Sequence, residues 1–211
     1  MNMKYLLLTV FVKVAIGGWA QDDCTSKLDK DSVKIWTCPS KNSKFKAVKS
    51  TFLMKGTPSQ LTALVLDLDG HKNWQYKTKS ASLVKKISDQ HYIYYTEIEA
   101  PVVNNRDFVI EMTINQDPNT KLLLIDLVSV PDYIPHKEGI VRVPFSKARW
   151  TVRSIDNDII QVDYFLELDL GGSVPGWIVN MFAHQGPYET YLGMRELIRD
   201  YPRGQLSFIK D

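Results

Sequence analysis

The residues of this chain able to do chemistry are few: two cysteines, Cys24 and Cys38, and four histidines, His71, His91, His136 and His184. The histidines show no HExxH or other ligand spacing, and cysteines fourteen positions apart do not make the CxxC pair of a redox or zinc site. No GxSxG elbow and no GxxxxGK loop occurs, so acyl and phosphoryl transfer both lack their usual sequence frame. The expectation is no catalytic residue, no metal and no cofactor. An isolated cysteine pair in an oxidising compartment bonds to itself. Closing a loop of that size stabilises by about 3 kcal/mol in the chain-entropy picture and staples the N-terminal segment to the first strand.

The compartment follows from the first residues. Lys4 precedes an apolar stretch, 5–16, that ends at Gly17-Gly18-Trp19-Ala20 and gives way to Gln21-Asp22-Asp23. That is the pattern of an export signal over residues 1–20, with the working domain at 21–211. Lys13 shortens the uninterrupted apolar run to 5–12, well below the roughly 20 residues a membrane helix needs. Asp22 and Asp23 before Cys24 argue against a lipoprotein. The domain is thus expected to be periplasmic or secreted, where ATP and NAD are scarce. The whole chain has 26 Lys and Arg against 24 Asp and Glu; removing Lys4 and Lys13 leaves a neutral domain, without the basic footprint of a nucleic-acid binder. A hydrophobic share of 44% with 24% charged residues suits one globular core.

The elements that would position a site read as follows. A short helix is expected around 24–30, then strands at 33–37 and 45–54. Thr57-Pro58-Ser59-Gln60 starts a helix with a capping box, and Leu61, Leu64, Val65 and Leu68 give it a buried face up to Gly70. A turn of helix or loop with His71 and Trp74 follows. Strands come next at 82–87, 91–99, 107–115, 121–130, 148–155 and 159–169, joined mostly by short polar links, so they form antiparallel hairpins. Ile160, Val162, Tyr164, Leu166 and Leu168 alternate with polar residues, and Phe108, Ile110, Met112 and Ile114 repeat the phase, which gives the sheet one apolar and one wet side. A sheet of about eight such strands curls. The chain closes with an aromatic helix over 173–201, bent at Gly186-Pro187, that can bury its face only across the concave side. The fold class is α+β, and whether the space between helix and sheet is packed or hollow is the functional question. The loop 131–144, with Pro131, Pro135, Pro144 and Gly139, is either a cavity-edge flap or a plain crossing.

Four blocks in register resemble the START domain, the steroidogenic-acute-regulatory-related lipid transfer family. They are Trp74; Tyr94-Tyr95-Thr96-Glu97 with Asn105-Arg106-Asp107-Phe108-Val109; Gly139-Ile140-Val141-Arg142-Val143; and Gly171-Gly172-Ser173-Val174-Pro175-Gly176-Trp177-Ile178-Val179-Asn180. They span about 33–199. The resemblance implies a helix-grip fold, a curved antiparallel sheet around a long C-terminal helix, with a tunnel holding one lipid, in a bacterial exported member of the family. It also implies that Glu97 and Arg106 sit near the cavity. There they would satisfy each other or a lipid head group, since a buried charge needs a partner; the alternative is that Arg106-Asp107 merely fixes a strand start. Where the family's phosphatidylcholine binders carry an arginine and an aspartate beside the tryptophan, this chain has His71 and Gln75. At their choline cage, Thr96 replaces a tryptophan and only Phe108 is aromatic. Lipid is therefore expected as ligand, but not phosphatidylcholine.

The aromatic residues Trp74, Tyr94, Trp150, Tyr164, Trp177 and Tyr188 are cavity candidates as well as ordinary core pieces. Met112 and Met181 suit variable acyl chains. The expected function is binding and transfer, or sensing, of one hydrophobic molecule by a monomer in transient membrane contact, with the bent helix and the loop 131–144 as the gate. An enzyme of cyclase or hydrolase type on the same fold, with His184 or Glu97 as acid or base, is the second reading. A filled core without a ligand is the third, and a cavity under about 300 Å³ would select it.

Overall fold

The computed structural model describes residues 23–43 and 45–211. The expected signal segment, residues 1–20, lies outside them. Ten strands form one sheet among the described residues: β1 (Thr25–Lys30), β2 (Val33–Cys38), β3 (Ala47–Lys55), β4 (Thr78–Ser88), β5 (His91–Ile98), β6 (Arg106–Gln116), β7 (Leu123–Ser129), β8 (Val141–Arg142), β9 (Phe145–Asp156) and β10 (Ile159–Asp169). Nine of them lie in the order β1-β2-β3-β10-β9-β7-β6-β5-β4 with every neighbouring pair antiparallel, and β8 pairs only with β6, in parallel.

The first element corrects the expectation of a helix. β1 (Thr25–Lys30) pairs with β2 (Val33–Cys38) from Thr25 opposite Thr37 to Lys30 opposite Val33. Local propensity yields here to pairing, because Asp31 and Ser32 both take positive φ, 53° and 64°, the conformation of a tight two-residue hairpin turn. The disulfide Cys24–Cys38 closes the open end of this hairpin.

β3 (Ala47–Lys55) leads to α1 (Pro58–Leu66), capped as expected. Thr57 Oγ1 accepts from the Gln60 backbone N–H at 3.4 Å, and Gln60 Oε1 accepts from the Thr57 N–H at 3.2 Å. Leu61, Leu64 and Val65 are buried. A short turn then gives α2 (His71–Trp74), and β4 (Thr78–Ser88), β5 (His91–Ile98), β6 (Arg106–Gln116) and β7 (Leu123–Ser129) follow as a meander. Inside the long loop lies β8 (Val141–Arg142), which pairs parallel with Arg106 and Asp107. β9 (Phe145–Asp156) and β10 (Ile159–Asp169) complete the sheet.

The C-terminal helix has three stretches: α3 (Gly176–Asn180), a π-helical turn Met181–Gln185, and α4 (Gly186–Leu197). The irregularity expected at Gly186-Pro187 falls one turn earlier. Pro187 has no N–H to give to Ala183, and the widened turn lets the Gly186 N–H reach the Met181 carbonyl instead. α4 is pressed onto α2 so closely that a Cβ on Gly193 would sit 2.7 Å from the Trp74 Cα.

The main core fills the concave side, where Val33, Ile35, Phe52, Ile125, Val152 and Ile160 meet α1 and the buried Tyr191, Met194 and Ile198 of the terminal helix. The convex side is not uniformly wet as expected. Ile93, Tyr95 and Val109 form a second, smaller core there, covered by Val84, Val130 and Ile134.

Candidate functional site

Alternation along the strands sets the site. Tyr94, Thr96 and Ile98 of β5, Arg106, Phe108 and Ile110 of β6, and Tyr164, Leu166 and Leu168 of β10 all point to the concave side. With Leu127, Ser146 and Ala148 they enclose a cavity of about 140 Å³, closed by Ile178 and Phe182 from the terminal helix. A second lobe of about 120 Å³ adjoins it, lined by Trp74, Trp150, Tyr191 and Met194 among others. Gln75, Ile98, Tyr164, Leu166 and Phe182 border both lobes.

Of the sequence candidates, Tyr94, Arg106, Phe108 and Tyr164 therefore line the main lobe, and Trp74, Trp150 and again Tyr164 the second. Five others lie elsewhere. Met112 is buried in the core beyond the cavity, with its outer edge toward Leu66 and Tyr92. Trp177 is 52% exposed. Met181 is half-buried in the π turn, and Tyr188 donates to Asp31 Oδ2 at 2.6 Å. Glu97 falls on the opposite face of β5, where its carboxylate takes Lys79 Nζ at 2.9 Å and Asn105 Nδ2 at 2.7 Å. Burial raises its pKa, but these two bonds and the Lys79 charge outweigh it and hold the carboxyl below its ordinary range.

The expected Glu97–Arg106 pair consequently does not form, because successive residues of a strand face opposite ways and Glu97 shares its side with Asp107. Asp107 is held by Arg142, Nε to Oδ1 at 2.8 Å and Nη2 to Oδ2 at 3.0 Å. Arg142 Nη1 also donates to the carbonyls of Pro131 and Ile134, and Nη2 to that of Pro135. Lys137 sits 3.8 Å from the Tyr95 ring centre. The loop 131–140 is thus a clamped cover of the convex side, and none of its residues lines the cavity.

Arg106 faces the cavity, and among the described residues its only partner is the Asn104 carbonyl, which accepts from Nη1; burial pushes its pKa down. Burial also holds the Tyr94 and Tyr164 phenols well above their ordinary range, so both stay neutral. His71 turns away from the cavity: Nε2 donates to the Val65 carbonyl at 2.8 Å, and the ring packs edge-on against Trp74 and Tyr94. Of the two residues flanking Trp74, it is Gln75 that reaches both lobes. Among the described residues no histidine, carboxylate or cysteine lines either lobe, and His184 is exposed. Among the described residues no cluster of His, Cys, Asp or Glu could hold a metal ion.

Ile98 escaped the sequence candidates, and Thr96, Leu166 and Leu168, placed by the sequence at the cage position and on the apolar face, were not named as site residues, although period-2 counting from Tyr94 and Tyr164 reaches all four. Phe182 falls on the apolar face expected of the C-terminal helix, but a helical period marks a buried face without singling out the side chain that reaches a cavity.

The sequence model of the START domain matches residues 12–201. The chain belongs to the START-domain family. This START domain is 30% identical over 196 residues to an uncharacterised protein of Pseudomonas aeruginosa, an alignment covering 92% of this chain and 95% of that one. It is 29% identical over 135 residues to mouse phosphatidylcholine transfer protein, 62% of each chain. Its fold superposes on the crystal structure of a STAR-related lipid transfer protein fragment from Xanthomonas axonopodis with a TM-score of 0.76 and 25% identity, covering 84% of this START domain and 99% of that fragment. The helix-grip architecture is therefore that of the family, a curved antiparallel sheet closed by a long C-terminal helix.

Proposed function

We propose that this START domain is a non-catalytic carrier or sensor of one lipid, acting outside the cytoplasm as a monomer. One observation carries the reading: an apolar, two-lobed cavity under a helical segment that is poorly tied down. From Gly176 to Gln185 only Ile178 is buried, whereas α4 beyond it anchors through Tyr191 and Met194. A segment with few buried contacts opens at low free-energy cost. Cavity walls that include an under-partnered guanidinium and two tyrosines with no hydrogen bond from their hydroxyls to any described residue suit a guest with a polar group.

The filled-core reading has one observation in its favour. The lobes of about 140 and 120 Å³ lie under the roughly 300 Å³ set above as the mark of a filled core, so by volume alone this closed structure meets that criterion. A core evolved only to pack would not keep a buried cation without a counter-charge, however, and the small volume belongs to the closed position of the lid. With the loop 131–140 clamped by Arg142, the gate falls to the segment Gly176–Gln185 alone. The absence of an acid–base pair from the lining supports binding over turnover. Thr96, opposite Phe108 on the neighbouring strand, leaves one aromatic face where the choline cage would need two, which disfavours phosphatidylcholine.

Export is supported by the Cys24–Cys38 disulfide and by the pattern of residues 1–20. Membrane contact is supported by exposed apolar residues that leave the sheet at one end: Val102 after β5, Tyr133 after β7 and Trp177 after β10. The test is uptake of a fluorescent single-chain lipid from liposomes. Wild type takes up the label, and Phe182→Glu, which puts a charge in the wall of both lobes, takes up little while melting normally; no uptake by wild type overturns the reading.

A further inference from the structure

Arg106 is 4% exposed and points into the main lobe. Among the described residues its one hydrogen bond is Nη1 to the Asn104 carbonyl, and no carboxylate lies within 4.0 Å of it. Nε is buried with no acceptor. Both nearby carboxylates are taken, Glu97 by Lys79 and Asn105, and Asp107 by Arg142. A guanidinium does not lose its charge in a protein, and a buried one without a counter-charge is strongly unfavourable. The edge left free, Nε with Nη2, is the edge through which Arg142 grips the Asp107 carboxylate in the same molecule.

Resting on the carrier reading above, we propose that Arg106 anchors an anionic head group and that the ligand is an amphiphile with a carboxylate or a phosphate monoester on an apolar tail. The fork of Arg106 matches either group through two parallel bonds. From Arg106 to Ile110 the strand rises about 13 Å at roughly 3.3 Å per residue, lined on the cavity side by Phe108 and Ile110, and the second lobe at Trp150 continues that path. Everything past the anchor is apolar or neutral, so the charge fixes the orientation, head toward the loops at the sheet end and tail inward.

The experiment titrates the full-length chain with palmitate, 1-palmitoyl lysophosphatidate and hexadecanol, following intrinsic tryptophan fluorescence, to which Trp74 and Trp150 in the wall of the second lobe contribute. Wild type binds at least one charged chain about tenfold or more tighter than the alcohol, the range of a charge-assisted contact. The preferred charged chain tells carboxylate from phosphate. Arg106→Met abolishes the preference, Arg106→Lys keeps part of it, and the Met variant melts no lower than wild type because it removes an unpaired charge. Equal binding of charged and neutral chains by wild type overturns the proposal and leaves the carrier reading standing. An undiminished preference in Arg106→Met also overturns it. Binding of none of the three overturns both.

Discussion

Replacing Arg142 with Met tests how the convex cover is held. The perturbation removes a guanidinium that is 6% exposed and leaves Asp107, 0% exposed, as a buried carboxylate with no cation. It also strips the carbonyls of Pro131, Ile134 and Pro135 of their shared donor. Breaking one side of a buried ion pair costs about 3–5 kcal/mol. For a domain of this size that is roughly a 6–20 °C fall in Tm. Chemical denaturation gives the free energy, and hydrogen exchange at residues 130–143 shows where it is lost. The amides of Val130, Val141 and Val143, which bond Val109, Asn105 and Asp107, exchange faster than those of β9 and β10. Adding Asp107→Leu removes the stranded charge and recovers at least about half of the loss. A single-variant cost below about 1 kcal/mol, or no gain from the second substitution, refutes the reasoning.

Other outcomes follow from the same contacts. Cys24→Ser with Cys38→Ser lowers stability by about 3 kcal/mol in denaturant melts, and reductant does the same to wild type but nothing to the variant. Gly193→Ala destabilises by about 1–3 kcal/mol despite alanine's better helix propensity, because the added Cβ would lie 2.7 Å from the Trp74 backbone; a neutral or stabilising result in thermal melts contradicts the close contact. Burial lowers the His71 pKa below its ordinary 6.5, so protons favour the unfolded chain. The corresponding stability is fully present above pH 6.5 and is lost as pH falls from there toward the depressed folded value, and a His71→Gln variant shows a flatter Tm profile over that interval.

Much of this was legible in the sequence. The capping box of α1, the antiparallel meander and the disulfide follow from residue type and spacing, since each rests on local backbone chemistry or on a pattern of period 2. The strand at Thr25–Lys30 was not legible, because it exists only through its pairing with β2. The partner choice of Glu97 and Arg106 also escaped. Two charges nine positions apart in sequence look like neighbours until strand register assigns them to opposite faces. The second core under Ile134 depends on a loop fold that no periodicity encodes, and this cover is why the loop 131–144, expected to share the gate with the bent helix, lies away from the cavity.

The most direct test of a cavity built for a guest is native mass spectrometry of the full-length protein, purified without detergent and then incubated with liposomes of mixed neutral and acidic lipid. The account predicts a complex of one acidic lipid per chain, released on mild denaturation and identified in the extract. Protein mass alone, both as purified and after incubation, would contradict it.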